Sequence, residues 1–159
     1  MLGRFEQFCG AISSIHLSIQ RIERAEMAKY GLKGPHAQCM LMMAQYPKGI
    51  TAAELCEVCD KDKAAISRAI SELELAGMVI RQDRDGKRYR SLLYLTEQGI
   101  VLADHIKQLV HMAVAQASQG YDVQTRDTFV GVLNLIAGNR QTICREGLQE
   151  GMKEESECP

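Results

Sequence analysis

A chain of 159 residues is the size of one domain and long enough to bury a core of its own. With 46% hydrophobic and 25% charged residues it has a globular composition, and no apolar run nears the roughly 20 residues of a membrane span. The first ten residues, MLGRFEQFCG, carry Glu6 and lack a signal-peptide apolar core, so a cytoplasmic protein with six reduced cysteines is expected. The net charge of -1 conceals an asymmetry. Lys61 to Arg90 holds eight Lys/Arg against five Asp/Glu, whereas the segment from Glu146 onward holds five Glu and one Lys. The positive charge is local, and the acidic end (146–159) reads as a solvated tail.

Taken in order, residues 4–30 place Phe5, Phe8, Ile12, Ile15, Ile19 and Ile22 at alternating three- and four-residue steps. That spacing predicts an amphipathic helix with one apolar seam, ending near Tyr30-Gly31. Gly34-Pro35 restarts a helix whose inner face is Ala37, Met40, Met43 and Ala44, and Pro47-Lys48-Gly49 stops it. Thr51 followed by Glu54 is a capping box opening a short helix, Ala52 to Cys59. Asp62 is a second N-cap, opening the helix Lys63 to Ala76. Ile66, Ala69, Ile70 and Leu73 would point inward there, leaving Lys63, Ala64, Ser67, Arg68 and Ser71 outside.

Gly77 ends that helix. Met78 to Gln82 and Arg90 to Leu95 read as two strands, joined by a basic tip Arg84-Asp85-Gly86-Lys87-Arg88. Thr96 caps the next helix, with a seam of Leu102, Ile106, Leu109, Val110, Ala113 and Val114. Gly120-Tyr121 breaks it, and Asp122 caps a last helix expected to bury Phe129, Val132, Leu133, Ile136 and Ile143. The expected fold is mainly α, about six helices and one hairpin, with the order helix, turn, helix, wing at residues 51–99. This is a winged helix-turn-helix, whose second helix fits a DNA major groove.

These residues resemble the MarR family of transcription regulators. The resemblance is carried by Gly34-Pro35-His36, Ile50 to Leu55, Asp62 to Arg68, Leu73-Glu74, Gly77 to Arg81, the basic wing and Leu95-Thr96-Glu97-Gln98-Gly99. It covers nearly the whole chain in element order and residues 34–102 in motif detail. The resemblance implies a homodimer in which residues 1–30 and 100–145 pair between subunits, and residues 34–99 form the DNA-binding lobe of a single domain. It further implies binding to pseudo-palindromic duplex sites, most often to repress, with release by a small-molecule effector or an oxidant. One departure stands out. Many members carry Asp-x-Arg at the wing tip, where this chain has Lys87 and Tyr89.

The expected DNA-facing residues are Thr51, Lys61, Lys63, Ala64, Ser67, Arg68, Ser71, Arg84, Lys87, Arg88 and Arg90. Lys63 and Arg68 can reach a phosphate or a guanine edge, and Ala64 allows close approach to a thymine methyl. The helix N-terminus after Thr51 offers amides to a phosphate. Each of these residues alone would read as a solvated helix face; the winged context gives them their meaning.

Cys9 and His16, on the first helix, are candidates for effector or redox sensing, with packing beside the Phe5-Phe8-Ile12 seam as the plainer reading of Cys9. Cys56-x-x-Cys59 has redox spacing but lies inside a helix, and His36-x-x-Cys39 with it has zinc-site spacing. Cys39, Cys56 and Cys59 occupy positions where the pattern asks for apolar residues, so core thiols are the expectation. His105 and His111, about 120° apart on one helix, form no natural chelate. No catalytic arrangement, metal or cofactor site is expected. The rival readings are a thiol-based oxidant or zinc sensor of the same fold, and a winged module that binds protein rather than DNA.

Overall fold

The structure, a computed structural model, describes residues 3–84, 87–120 and 122–146. In chain order it contains α1 (Arg4–Ala28), α2 (Gly34–Met43), α3 (Ala52–Cys59), α4 (Lys63–Leu75), β1 (Val79–Arg84), β2 (Lys87–Leu95), α5 (Glu97–Ala117) and α6 (Val123–Glu146). They fall into two compact units, Met1–Gln116 and Ala117–Pro159. Each unit is described by itself.

In the first unit, the C-terminal half of α1 packs on α2, and α2 in turn contacts α3, α4 and β2. The α1 end is closed by Gly31 at φ +69° and by a hydrogen bond from the Leu32 amide to the Met27 carbonyl, 3.0 Å. Met27 is thereby delivered into a core with Met40, Ile50, Leu55, Ile66, Ile70 and Leu73. The four inward positions of α4 are all buried, as the 3.6-residue period requires. On α2, Ala37, Met40 and Met43 are buried but Ala44 is exposed, because the helix has already ended at Met43.

Turn chemistry sets the angles between these helices. Thr51 Oγ1 accepts the Glu54 amide (3.2 Å) while the Glu54 carboxylate accepts the Thr51 amide (2.8 Å), the reciprocal box that starts α3. These bonds hold the Glu54 carboxyl below its ordinary value. Asp60, at φ +52°, ends α3 in the left-handed region, and Asp62 Oδ1 accepts the Ala65 amide at 2.8 Å to start α4. Two helices are thus joined by a turn of only Asp60 to Asp62.

The hairpin is longer than its sequence suggested. Pairing runs from Val79↔Leu95 to Gln82↔Leu92 and resumes, after a register shift, at Arg84↔Lys87. Strand pairing is made by backbone groups, so a run of charged residues does not by itself interrupt it. Ile50 adds a bridge to Leu93, with amide–carbonyl distances of 3.2 and 2.9 Å, that ties the segment before α3 to the wing. Gly49, at φ +87°, leaves room for the Tyr94 ring, whose Cζ would lie 2.6 Å from an added Cβ.

The start of α5 is fastened to the end of α4. Thr96 Oγ1 donates to the Gly77 carbonyl (2.7 Å) and accepts the Gly99 amide (3.0 Å), and a Cβ on Gly99 would collide with the Met78 carbonyl. Leu102, Ala103 and Ile106 then continue into the core. Further along α5, Leu109, Val110 and Ala113 are half-buried and Val114 is exposed.

The second unit contains α6, started by Asp122, which accepts the Thr125 amide at 2.7 Å. Here the expectation of burial is overturned within one chain. Phe129, Val132 and Ile136 are exposed (50%, 49% and 43%) and Leu133 is half-buried. An apolar stripe reports a face that wants cover, and it does not say that the same chain supplies it. The Ile143 side chain lies outside the described residues. On α1 the seam behaves alike: Phe8, Ile12 and Ile15 are exposed, and only from Ile19 onward does burial begin.

Candidate nucleic-acid interface

The candidate interface is the outer face of α4 and the elements that fix its direction. Lys63, Ala64, Ser67, Arg68 and Ser71 are all exposed, opposite Ile66, Ala69, Ile70 and Leu73, which anchor the helix. Steps of three and four put Lys63, Ser67 and Ser71 on one line and Ala64 and Arg68 on the next. Among the described residues neither Lys63 nor Arg68 is held in an ion pair, so both charges are free for an outside anion. Thr51 and Lys61 are half-buried at the two ends of α3. Thr51's hydroxyl is committed to Glu54, to which it donates at 2.7 Å, so its part is to set the helix start.

Three contacts unseen by pattern reading aim this face. Glu74, near the end of α4, accepts the Nε–H of Arg81 on β1 at 3.1 Å, and Arg81 also reaches the Ser91 hydroxyl at 3.4 Å. One guanidinium thus holds α4 against both strands of the wing, using the planar fork that suits Arg to bridging. On the other side, buried His36 accepts the Lys33 amide at Nδ1 (2.9 Å) and lies 3.2 Å from Glu72 through Nε2. Burial lowers the His36 pKa, the Glu72 carboxylate opposes this, and Lys33 adds to the lowering. With Nδ1 accepting, a neutral ring carries its proton on Nε2 and donates it to Glu72. A third pair, Lys33–Glu72 at 3.7 Å, adds an exposed contact between the same elements. Nothing local in the sequence marks these partners, although His36, Glu74 and Arg81 stood within the motifs that carried the resemblance.

The wing gives a partial result. Arg84 and Lys87 pair across the hairpin, and Arg88 and Arg90 follow on β2. The tip residues Asp85 and Gly86, and the side chains of Arg84, Lys87, Tyr89, Arg88 and Arg90, lie outside the described residues. The bracing of a wing arginine by Asp85 therefore falls there too.

Of the sensing candidates, Cys9 and His16 are both exposed on α1. His16 lies close enough to Glu23 for its charge to oppose the upward shift that burial gives that carboxyl. Cys39 and Cys59 are buried and Cys56 is half-buried, matching their reading as core thiols. His36 does not join them in a ligand set: among the described residues no group of three or more His, Cys, Asp or Glu is placed to hold a metal ion.

Helix, turn, helix and antiparallel wing, with the second helix presenting free cations, define a winged helix-turn-helix protein. The sequence profile of the MarR family matches residues 30–88. A Thauera aromatica protein assigned as a transcriptional regulatory protein for the hcr operon is 25% identical over 127 residues, covering 80% of this chain and 74% of its own. Among solved structures, a MarR transcriptional regulator from Methanosarcina mazei has a TM-score of 0.75 at 24% identity, covering 86% of this chain and 99% of its own. A MarR-family regulator from Listeria monocytogenes, crystallised with a 26mer DNA, has a TM-score of 0.74 at 20% identity, covering 90% and 97%. These structures share the fold. Over residues 30–88, and in its fold, the chain is similar to the MarR family of regulators.

Proposed function

We propose that the protein is a double-stranded DNA-binding repressor that acts in the cytoplasm as a homodimer on a pseudo-palindromic operator and is released by a small-molecule effector. The observation that carries this reading is the exposed, unpaired Lys63–Ser67–Arg68 face of α4, braced from behind by Glu72 and Glu74. Lys63 and Arg68 would supply phosphate or guanine contacts, Ser67 and Ser71 polar edges, and Ala64 close approach. Lys61, Arg84, Lys87, Arg88 and Arg90 would extend the cationic track toward the wing. The apolar residues left uncovered on α1 and α6 support pairing of residues 1–30 and 100–145 between two copies. No described helix is long and apolar enough to cross a membrane. An effector lodged between the pairing helices and the 34–99 lobe would change the spacing of two α4 helices, and a few kcal/mol of such mismatch empties an operator.

The test is a gel shift with the DNA upstream of the protein's own gene, repeated at several salt concentrations and with phenolic acids, peroxide, zinc and chelator. Arg68→Ala should weaken binding by about 1–3 kcal/mol, and Lys63→Ala should reduce the log–log salt slope by about 1. Failure of every duplex to shift removes the DNA-binding reading, leaving the protein-binding alternative. An unchanged affinity in both variants removes the assignment of α4.

A further inference from the structure

The outer face of α4 carries a hazard within its own helix. Two carboxylates, Glu72 and Glu74, stand in its last turn, where the negative end of the helix dipole favours a cation beside each. Glu74 finds Arg81, on β1. Glu72 follows Arg68 by four residues, the spacing that lays two side chains next to each other on a helix surface. A pair between them would cancel the arginine of the α4 face. Yet among the described residues no ion pair joins Glu72 to Arg68. The Glu72 carboxylate is engaged elsewhere: its Oε2 lies 3.2 Å from His36 Nε2 and 3.7 Å from Lys33 Nζ. His36 is only 4% exposed, and its Nδ1 accepts the Lys33 amide at 2.9 Å. The ring is pinned by that bond, so its Nε2–H points one way, toward Glu72. The exposed Lys33 ammonium adds a looser second hold.

We propose that His36 is a positioning residue for DNA reading: it holds the Glu72 carboxylate on the α2 side of α4 and so keeps Arg68 unpaired for an incoming anion. Without the His36 donor, the carboxylate has two mobile cations in reach, Lys33 and Arg68. By pairing with Arg68 it would offset the charge that is to meet a phosphate or a guanine edge. Its own negative charge, brought to that face, would also repel the duplex. The effect is on charge and not on the seating of the helix, because the buried set of α4 is Ile66, Ala69, Ile70 and Leu73. The use made of Arg68 rests on the DNA-binding reading above; the separation of Glu72 from Arg68 does not.

The experiment compares the full-length protein with His36→Leu, which fills the place of the ring and donates nothing, and with His36→Leu combined with Glu72→Gln. On a duplex that the wild type shifts, His36→Leu should bind about two- to tenfold more weakly, between the strength of one exposed helix pair and that of one lost base contact. Its log–log salt slope should be shallower by up to about 1. Adding Glu72→Gln should return both values toward wild type, because a neutral amide cannot cancel Arg68. His36→Gln, which keeps a donor, should also recover most of the loss. A deficit that Glu72→Gln leaves in place gives His36 a purely structural role and overturns the proposal, as does a His36→Leu protein that binds like wild type. A second readout needs no DNA. The Nε–H resonance of Arg68, assigned by its loss in Arg68→Lys, should move in His36→Leu and stay in place when Glu72→Gln is made alone. Movement on Glu72→Gln alone would show the pair already formed, and overturns the proposal even where His36→Leu fails to fold. A wild-type protein that shifts no duplex counts against the DNA reading alone, since the resonance still reports whether Glu72 reaches Arg68.

Discussion

The segment from α2 to β2 and the helix α6 read alike in sequence, each with apolar residues at helical or strand spacing, yet they end in opposite states. Ile66, Ile70, Leu73 and Leu93 belong to a buried cluster drawn from α1 to α5 and both strands. Phe129, Val132 and Leu135 on α6 are 49–64% exposed. The period fixes which residues share a face, and the presence of a covering surface decides whether that face is buried. The core of α2 to β2 is closed within one chain, whereas the apolar stripe of α6 is left exposed.

The largest effect expected lies inside the lobe. Leu73, fully buried on the inner face of α4, should cost about 2–5 kcal/mol as Leu73→Ala, through lost transfer energy and a residual cavity. Thermal unfolding followed by circular dichroism measures it. A loss below about 0.5 kcal/mol, the range of an ordinary surface site, would break the contrast at its stronger end.

The other side of the contrast is tested by assembly. Replacing Ile136 with Glu should leave the helical content of the chain intact but move the protein from dimer to monomer in sedimentation velocity. A charge in the middle of an apolar contact costs about 2 kcal/mol or more, enough to shift the dissociation constant by about thirtyfold. An unchanged sedimentation coefficient at micromolar concentration would show that α6 is covered by something other than a second copy.

A smaller effect is expected at the cap of α3. Thr51→Ala removes the oxygen that accepts the Glu54 amide and should cost about 1 kcal/mol, read as a lower urea midpoint with an unchanged slope. Operator affinity should fall little, because the Thr51 hydroxyl is engaged by Glu54. A large affinity loss at unchanged stability would instead put Thr51 on a phosphate and redraw the edge of the interface.

How far the sequence could lead is clear from these same residues. Helix starts at Ala52 and Lys63 were legible because Thr51, Glu54 and Asp62 act on amides three residues away. The inward set of α4 was legible because one helix imposes one period. The Ile50–Leu93 bridge and the Arg81–Glu74 brace were not, since each joins elements whose approach is set by the whole core. The exposed residues of α4 were legible as the complement of its buried face. The residues that aim that face, His36, Glu72, Glu74 and Arg81, have no periodic signature.

His36 supplies the smallest effect and the sharpest check on the closed lobe. It is the buried imidazole of the reading unit, with both ring nitrogens engaged, and burial sets its pKa below the ordinary 6.5 despite the opposing pull of Glu72. In the unfolded chain the ring takes up a proton near 6.5; in the folded chain it does so only at lower pH. Between those two values the unfolded state binds more protons, so stability rises with pH there. Above the ordinary value neither state is protonated and the contribution is constant; as pH falls below it, stability is lost. Urea midpoints measured from about pH 7.5 down to about pH 5.5 should therefore decline in the wild type. His36→Gln, which keeps a donor for Glu72 and cannot titrate, should have a shallower decline over the same range. Equal slopes in the two proteins would mean that the ring accepts its proton without leaving its place, and that the lobe is less tightly shut around α2 than the geometry of Lys33, His36 and Glu72 requires.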